Sequence, residues 1–468
     1  MADRRVAALL AEVGLPADAA DNVAIEGSDP VYASPFPVAS SAAVALGAVA
    51  ATAGLIWRDK TGIEQKVAVD TRQTGASLLS FVFQQLIDGE TPQRVADNPL
   101  IALYECRDGG WVHLHGAFPG LADATRRVLG ISEGADSATV AAGVAKWEAQ
   151  ALEDALADAK TCGAIVRTRE EWAAHAQGRA LEALARVEVE KIGDSEPEPV
   201  GGSDRPLDGV RVLDLTRILA GPTNGRTLAE HGADVLLVNS PHLDNVAPFV
   251  IDTSHGKRST FLDLDHPNDQ ARLLALASSA DVFAQGYRGG AMERRGLGPE
   301  DLAALRPGIV SVSMSCYGDV GPWRERPGWE QLAQTVTGIA ALQADGGPPV
   351  LIPAAACDYT TGYLAALGTM AALWRRSHEG GSYHVRASLC QTGMWFAREP
   401  RVDRTKASGF GDIEPFLVTT DTAFGRLRHL APVAWMSATP PQWALPTTPL
   451  GVHPPDWSTA NSRAAADK

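Results

Sequence analysis

Apolar and polar residues alternate through this chain in patches that predict its elements. Residues 65–70 alternate like a strand with one buried face. Strand-like runs at 210–215, 233–238, 258–264, 281–285 and 309–315 are separated by helical segments at 222–231, 268–277 and 300–305. The first run reads as a strand buried on both faces. This strand–helix alternation implies an α/β architecture with a mostly parallel sheet covered on both sides.

Two long uncharged runs, 38–57 and 359–374, read as buried helices. The first has the length of a membrane span. It is mostly Ala, Gly, Ser and Val, and this weakly apolar composition fits a core helix better. A short amphipathic helix near 6–13 precedes it, and a helix over 71–87 is predicted to follow the 65–70 strand. Residues 100–106 and 111–114 read as a hairpin, because Asp108-Gly109 suits the positive φ of such a turn. Residues 119–190 read as mostly helical. An acidic Pro/Gly stretch at 194–206 is the clearest boundary. The expected organisation is a partial helix-strand-helix unit at 1–92, a small α+β domain at 93–193, the linker, and a Rossmann-like large domain at 207–468.

Composition narrows the function classes. Forty-one basic against 56 acidic residues give a net charge of −15, which argues against sequence-independent nucleic-acid binding. The five cysteines lack CxxC spacing and the histidines lack HExxH spacing, so no disulfide framework or metal site is expected. The cysteine usage fits a reducing cytoplasm, and the Met-Ala-Asp-Arg-Arg start lacks a signal peptide's apolar core. The turn after residue 215 is not GxGxxG, and the 233–238 strand ends at Asn239 rather than an acid, which argues against NAD(P).

A supersecondary unit occurs twice. Trp57 to Gly75 and Trp374 to Gly393 both run from an Ala-rich helix through a Gly turn and a short strand to Gln-Thr-Gly. Asp358, at the start of the second helix, corresponds to Ser41 in the first. Such an aspartate has two readings: a helix N-cap, or a nucleophile whose charged form the helix dipole favours.

The quoted runs carry a resemblance. PLDGVRVLDLTR at 206–217, AGP at 220–222, GADV at 232–235, GKRS at 256–259, GLG at 296–298, RPGWE at 326–330 and the Asp358 segment resemble the family III CoA transferases, a group that includes formyl-CoA and carnitine CoA transferases and 2-methylacyl-CoA racemases. RDGGW at 107–111 and TREEW at 168–172 resemble that family's small domain. The order looks like a tandem duplication with losses, with residues 93–175 supplying the small domain in cis or across a dimer. The resemblance implies a homodimer of interlocked chains, acting on an acyl-CoA and a carboxylic acid, with no cofactor beyond coenzyme A as substrate.

The resemblance also implies site roles. Asp358 would be the nucleophile, attacking a thioester to form a mixed anhydride and then an aspartyl-CoA thioester, with Glu330 beside it. Arg217, Leu219, Ala220, Lys257, Arg258, Tyr287, Arg288, Ala291 and Arg294 match CoA-binding positions. Leu219 stands where formyl-CoA transferase has a glutamine, which disfavours a formyl/oxalate pair. The racemases carry Gly-His-Asp where this chain has Gly328-Trp329-Glu330, and indole accepts no proton. A racemase or a non-catalytic CoA-binding subunit are the alternative readings.

Overall fold

A computed structural model describes residues 3–90 and 97–457. Its largest sheet has seven strands, in chain order β1 (Val187–Gly193), β2 (Arg211–Leu215), β3 (Asp234–Asn239), β4 (Lys257–Phe261), β5 (Val282–Gln285), β6 (Val310–Ser315) and β7 (Ser382–Ser388). They lie in the order β4-β3-β2-β5-β6-β7-β1. All neighbours are parallel except β7 and β1. The chain winds outward from β2 to β4, then returns to β5 on the other side of β2. Loops leaving the C-terminal ends of β2 and β5 therefore diverge, and the crevice between them is where open α/β sheets bind ligands.

β1 departs from the helical reading of 119–190. Val187 is buried while Glu188 and Glu190 face outward to pair with Arg386 of β7. Charged residues on the open face give this edge strand a polar look that hides its period of two. It joins the sheet from the N-terminal side of the 194–206 stretch.

The helices that matter for the site are α1 (Val38–Thr61), α2 (Ala220–Glu230), α3 (Glu330–Val336), α4 (Ala356–Glu379) and α5 (Leu389–Arg398). α4 is buried along most of its length, which explains why it is apolar nearly all round. A Cβ on Gly362 would lie 2.6 Å from both the Ala220 carbonyl and the Thr223 Cβ, so α4 and α2 cross backbone to backbone there. α1 has the length and apolarity of a membrane span, and 89% of its apolar window is buried inside the protein.

The repeated stretches fold alike: a 24-residue helix, a strand and a second helix in each. Their strands go to different sheets. Val67–Asp70 pairs with Val23–Glu26 and with Ala434–Met436 near the other end of the chain. The helix expected over 71–87 stops at Ser77; a 3-10 turn at Ser80–Val82 and a short strand at Gln85–Leu86 follow. Tertiary hydrogen bonds from Ser80 hold this bend, and no local signal announces them.

Residues 97–186 form a three-stranded antiparallel sheet, Ile101–Glu105, Trp111–His115 and Gly163–Ile165, packed with helices around its own core. Glu153 of this unit is buried and holds Arg167 at 2.6 Å. Its carbonyl accepts from Arg326 at 3.0 Å, which ties the unit to the loop before α3. The C-terminal tail covers the open edge of β4, where His453 exchanges hydrogen bonds with Ser259.

The crossing at Gly362 leaves no room for a methyl group. Gly362→Ala should lower stability by about 1–3 kcal/mol, since both opposing groups belong to helix backbone or its first carbon. Urea unfolding checks this, and an unchanged midpoint would show that the crossing can relax.

Candidate active site

Asp358 is the third residue of α4, but it is not the N-cap. Ala355 occupies that position and has no side chain to offer the helix's unpaired N–H groups. Glu330, the first residue of α3, takes the role from a neighbouring element. Its Oε1 accepts from the Cys357 N–H at 3.1 Å and from Gln334 Nε2 at 2.6 Å, and its Oε2 accepts from the Asp358 N–H at 2.5 Å. Glu330 is buried, so its carboxylate serves these N–H groups rather than solvent. Among the described residues no donor is hydrogen-bonded to the Asp358 carboxyl.

This arrangement sets the electrostatics of the pair. Burial raises the Glu330 pKa to about 7 against its hydrogen bonds. Burial also raises Asp358 well above the usual carboxylate value, and the charge of Glu330 adds to the effect. Asp358 keeps some exposed surface, and the charge it feels is that of Glu330. Two acids of unequal hydrogen bonding thus lie together, with the donors all on Glu330.

A cleft of about 520 Å³ opens beside the pair. Its inner wall includes Ser315, Cys316, Gly328 and Trp329. Asp358 is not itself part of this wall, but the Cys316 thiol feels the charge of both Asp358 and Glu330. Arg217 follows β2, and Tyr287 and Arg288 follow β5, so the crevice at the strand reversal is the cleft. Phe118 to Leu121 and Lys160 form the opposite side, so residues 97–186 complete it within one chain. Arg217 sits over the Phe118 ring at 5.9 Å and donates to the Asp244 carbonyl, tying the two sides together. A second hollow of about 280 Å³ shares Tyr287, His242 and Leu243 with the cleft and contains Ala291. Lys160, Arg217, Arg288, Arg324 and Arg326 against Asp244 make the cleft wall basic in an acidic protein.

The structure divides the residues expected to bind CoA. Arg217, Tyr287, Arg288 and Ala291 come together around the cleft and its side hollow. Leu219 is buried in the core and Ala220 opens α2 against Gly362. Arg294 is exposed, with its guanidinium beside Gly290 rather than in the cleft wall. Two expectations need correction. Lys257 has no exposed surface: its ammonium holds Asp214 at 2.9 Å and the Pro222 carbonyl at 2.7 Å beneath α2. Arg258 lies at the outer edge of the sheet, pairing with Asp234 at 3.1 Å and donating to the Asp456 carbonyl of the tail.

Sequence reasoning missed Phe118, Lys160 and Cys316, which carry no motif of their own. It also missed two histidines near Trp329. His115 stacks on the Trp329 ring with centroids 5.6 Å apart, and His113 Nδ1 lies 3.0 Å from Thr335 Oγ1. Burial lowers their pKa values to about 4 and about 3, so both are neutral.

Comparison with known proteins identifies this arrangement's family. The model of CoA-transferase family III matches residues 19–198 and 207–412. The chain belongs to CoA-transferase family III. It is 35% identical over 330 residues to an acyl-CoA transferase of Gibberella moniliformis, covering 64% of this chain and 58% of that protein. It is 32% identical over 321 residues to the acetyl-coenzyme A transferase nodX of Hypoxylon pulicicidum, covering 63% and 54% respectively. The chain thus spans little more than half the length of these family III relatives. A crystal structure of a CAIB/BAIF family protein from Brucella suis is similar over 48% of this chain and 65% of that one, at 27% identity and a TM-score of 0.39.

The buried lysine gives a test that separates a structural cation from a ligand. Lys257→Ala leaves Asp214 buried and unpaired, so it should cost about 3–5 kcal/mol of stability. Thermal unfolding checks it. A stable variant with weakened CoA binding would instead mean that Lys257 serves the ligand.

Proposed function

We propose that this chain is a CoA transferase that moves CoA from an acyl-CoA donor to a carboxylic acid, with Asp358 as the nucleophile. The observation that carries the reading is the division of labour between the two acids. Glu330 takes the helix N–H groups, and the Asp358 oxygens are left without donors behind Cys316 and Trp329 of the basic cleft's wall. Family membership and relatives named as acyl-CoA and acetyl-coenzyme A transferases support it.

The chemistry proceeds through the aspartate. A carboxylate oxygen of Asp358 attacks the donor thioester carbon; the C–S bond breaks and CoA leaves as thiolate, giving a mixed anhydride. The thiolate attacks the aspartyl carbonyl, releasing the donor acid and leaving CoA as a thioester on Asp358. The acceptor carboxylate attacks that thioester carbonyl, expelling CoA thiolate and forming a second anhydride. The thiolate then attacks the acceptor's acyl carbon, which releases the new acyl-CoA and restores the Asp358 carboxylate. Ala354, Ala356, Thr360, Thr361 and Gly362 flank the aspartate with small side chains. Burial of the turn limits water, which would hydrolyse both intermediates. Arg217, Arg288 and Lys160 line the cleft where CoA phosphates would lie.

The racemase alternative needs a second base opposite Asp358. Trp329 cannot supply one, and His113 and His115 are buried, one bonded to Thr335 and the other stacked on Trp329. The transferase reading therefore stands ahead of it.

Incubation with an acyl-CoA followed by hydroxylamine should yield a hydroxamate at Asp358, read by peptide mass spectrometry, and none in Asp358→Ala. Unmodified Asp358 across a panel of acyl-CoA donors overturns the reading.

The pH dependence has a defined sign. Both pKa values are raised, so ionised Asp358 accumulates only as pH rises, and kcat/KM should climb with pH well beyond the usual carboxylate range before it levels off. Glu330→Gln removes the charge that helps raise Asp358, so its acid limb should move to lower pH, with a reduced plateau from the weakened cap. An unmoved limb would mean that the two acids are not coupled.

A further inference from the structure

We infer that the N-terminal copy of the repeat holds Asp358 in position, with Ser80 as the positioning residue, and that each chain therefore carries one site completed by its own duplicate. The inference rests on the functional reading above.

The two copies form a pair. α1 and α4 run side by side in the same direction. Leu46 of α1 and Tyr363 of α4 line one small hollow, and further along Asp59 of α1 accepts from the Trp374 indole at 2.7 Å. The counterpart of Asp358 in α1 is Ser41, which is buried and has no carboxyl. The pair thus contains one nucleophile.

The stretch that follows the first copy's repeat folds onto the first turns of α4. The Leu78 carbonyl accepts from the Ala355 N–H at 3.1 Å, and the Tyr363 hydroxyl donates to Ser77 Oγ at 3.1 Å. The Ser80 hydroxyl donates to Asp252 Oδ1 at 2.6 Å, the Tyr359 hydroxyl donates to Asp252 Oδ2 at 2.8 Å, and the two hydroxyl oxygens lie 2.9 Å apart. Arg226 pairs with the same Asp252 carboxylate at 2.8 Å. Tyr359, Ser80, Asp252 and Arg226 are all buried, and neither Ser80 nor Ser77 lines the cleft.

Tyr359 directly follows Asp358, so pinning its hydroxyl fixes the rotation of α4 about its own axis. Turning a helix by about 10° moves a side-chain atom some 6 Å from the axis by about 1 Å. A misplacement of about 1 Å can cost on the order of a hundredfold in rate. Glu330 holds the same turn from the side of α3, and Ser80 holds it from the side of the duplicate through the Asp252 carboxylate to which Tyr359 also donates. This makes Ser80 a positioning residue that touches no substrate.

The test compares full-length wild type with Ser80→Ala, Tyr359→Phe and their double variant. kcat and KM for the acyl-CoA are measured on protein whose unfolding transition shows it to be folded. Ser80→Ala should lower kcat about tenfold and leave KM unchanged. The double variant should lose no more than the worse single, because both changes break one network. The wild type should carry no more than one trapped adduct per chain, on Asp358. Should Ser80→Ala fail to fold, Ser77→Ala, which cuts the tie to Tyr363, should show the same loss of kcat at unchanged KM. Wild-type kcat in a folded Ser80→Ala, or in the Ser77→Ala that replaces it, overturns the inference, as does a raised KM at unchanged kcat. A wild type that never forms the Asp358 adduct defeats the functional reading itself; one that forms it alongside an equally fast Ser80→Ala defeats only the positioning role.

Discussion

Two main-chain N–H groups at the start of α4 donate to the Glu330 carboxylate, and the rest of the site depends on that contact. A helix start needs acceptors for its first N–H groups, and an acid in the first turn is the usual local source. Here Ala355 gives nothing, and the acceptor comes from the first residue of another helix. Asp358 is thereby released from capping. The consequence is electrostatic: burial raises the pKa of both acids, and the charge of Glu330 raises Asp358 further. The protein holds a carboxyl beside a second acid with its own oxygens uncommitted, the state that the proposed nucleophilic role requires.

The sheet order brings ligand groups to the same place. Reversal of strand order between β2 and β5 opens the crevice, and the loops after those strands deliver Arg217, Tyr287 and Arg288 to it. The unit at 97–186 closes the far side with Phe118 and Lys160, and its Glu153 anchors the loop that leads into Trp329 and Glu330. The duplicate supports α4 from behind. Three separate stretches of chain therefore converge on one helical turn.

Local patterns were readable, and distant partners were not. The alternation of strands and helices through 210–315 is written in short-range periodicity, and the buried α1 and α4 in their uncharged runs. Asp358 and Glu330 were found through the motifs that carry them. That Glu330 caps Asp358's own helix was not, because the bond spans 28 residues. Lys257 sits in a GKRS run that suggests a phosphate ligand, yet its partner Asp214, 43 residues earlier, takes it into the core. Ser80 and Asp252 meet across 172 residues, and that meeting also bends the segment read as one long helix over 71–87. β1 was misread because glutamates on its open face resemble the polar side of a helix.

The central claim is that the acceptor acid passes through a bond to Asp358. An acceptor carboxylate labelled with heavy oxygen provides the most direct measurement. After a single turnover with unlabelled acyl-CoA, one labelled oxygen should remain in the Asp358 carboxyl, because the anhydride hands the acceptor's oxygen to the enzyme when CoA takes the acyl carbon. Turnover that leaves the Asp358 peptide unlabelled would contradict the account.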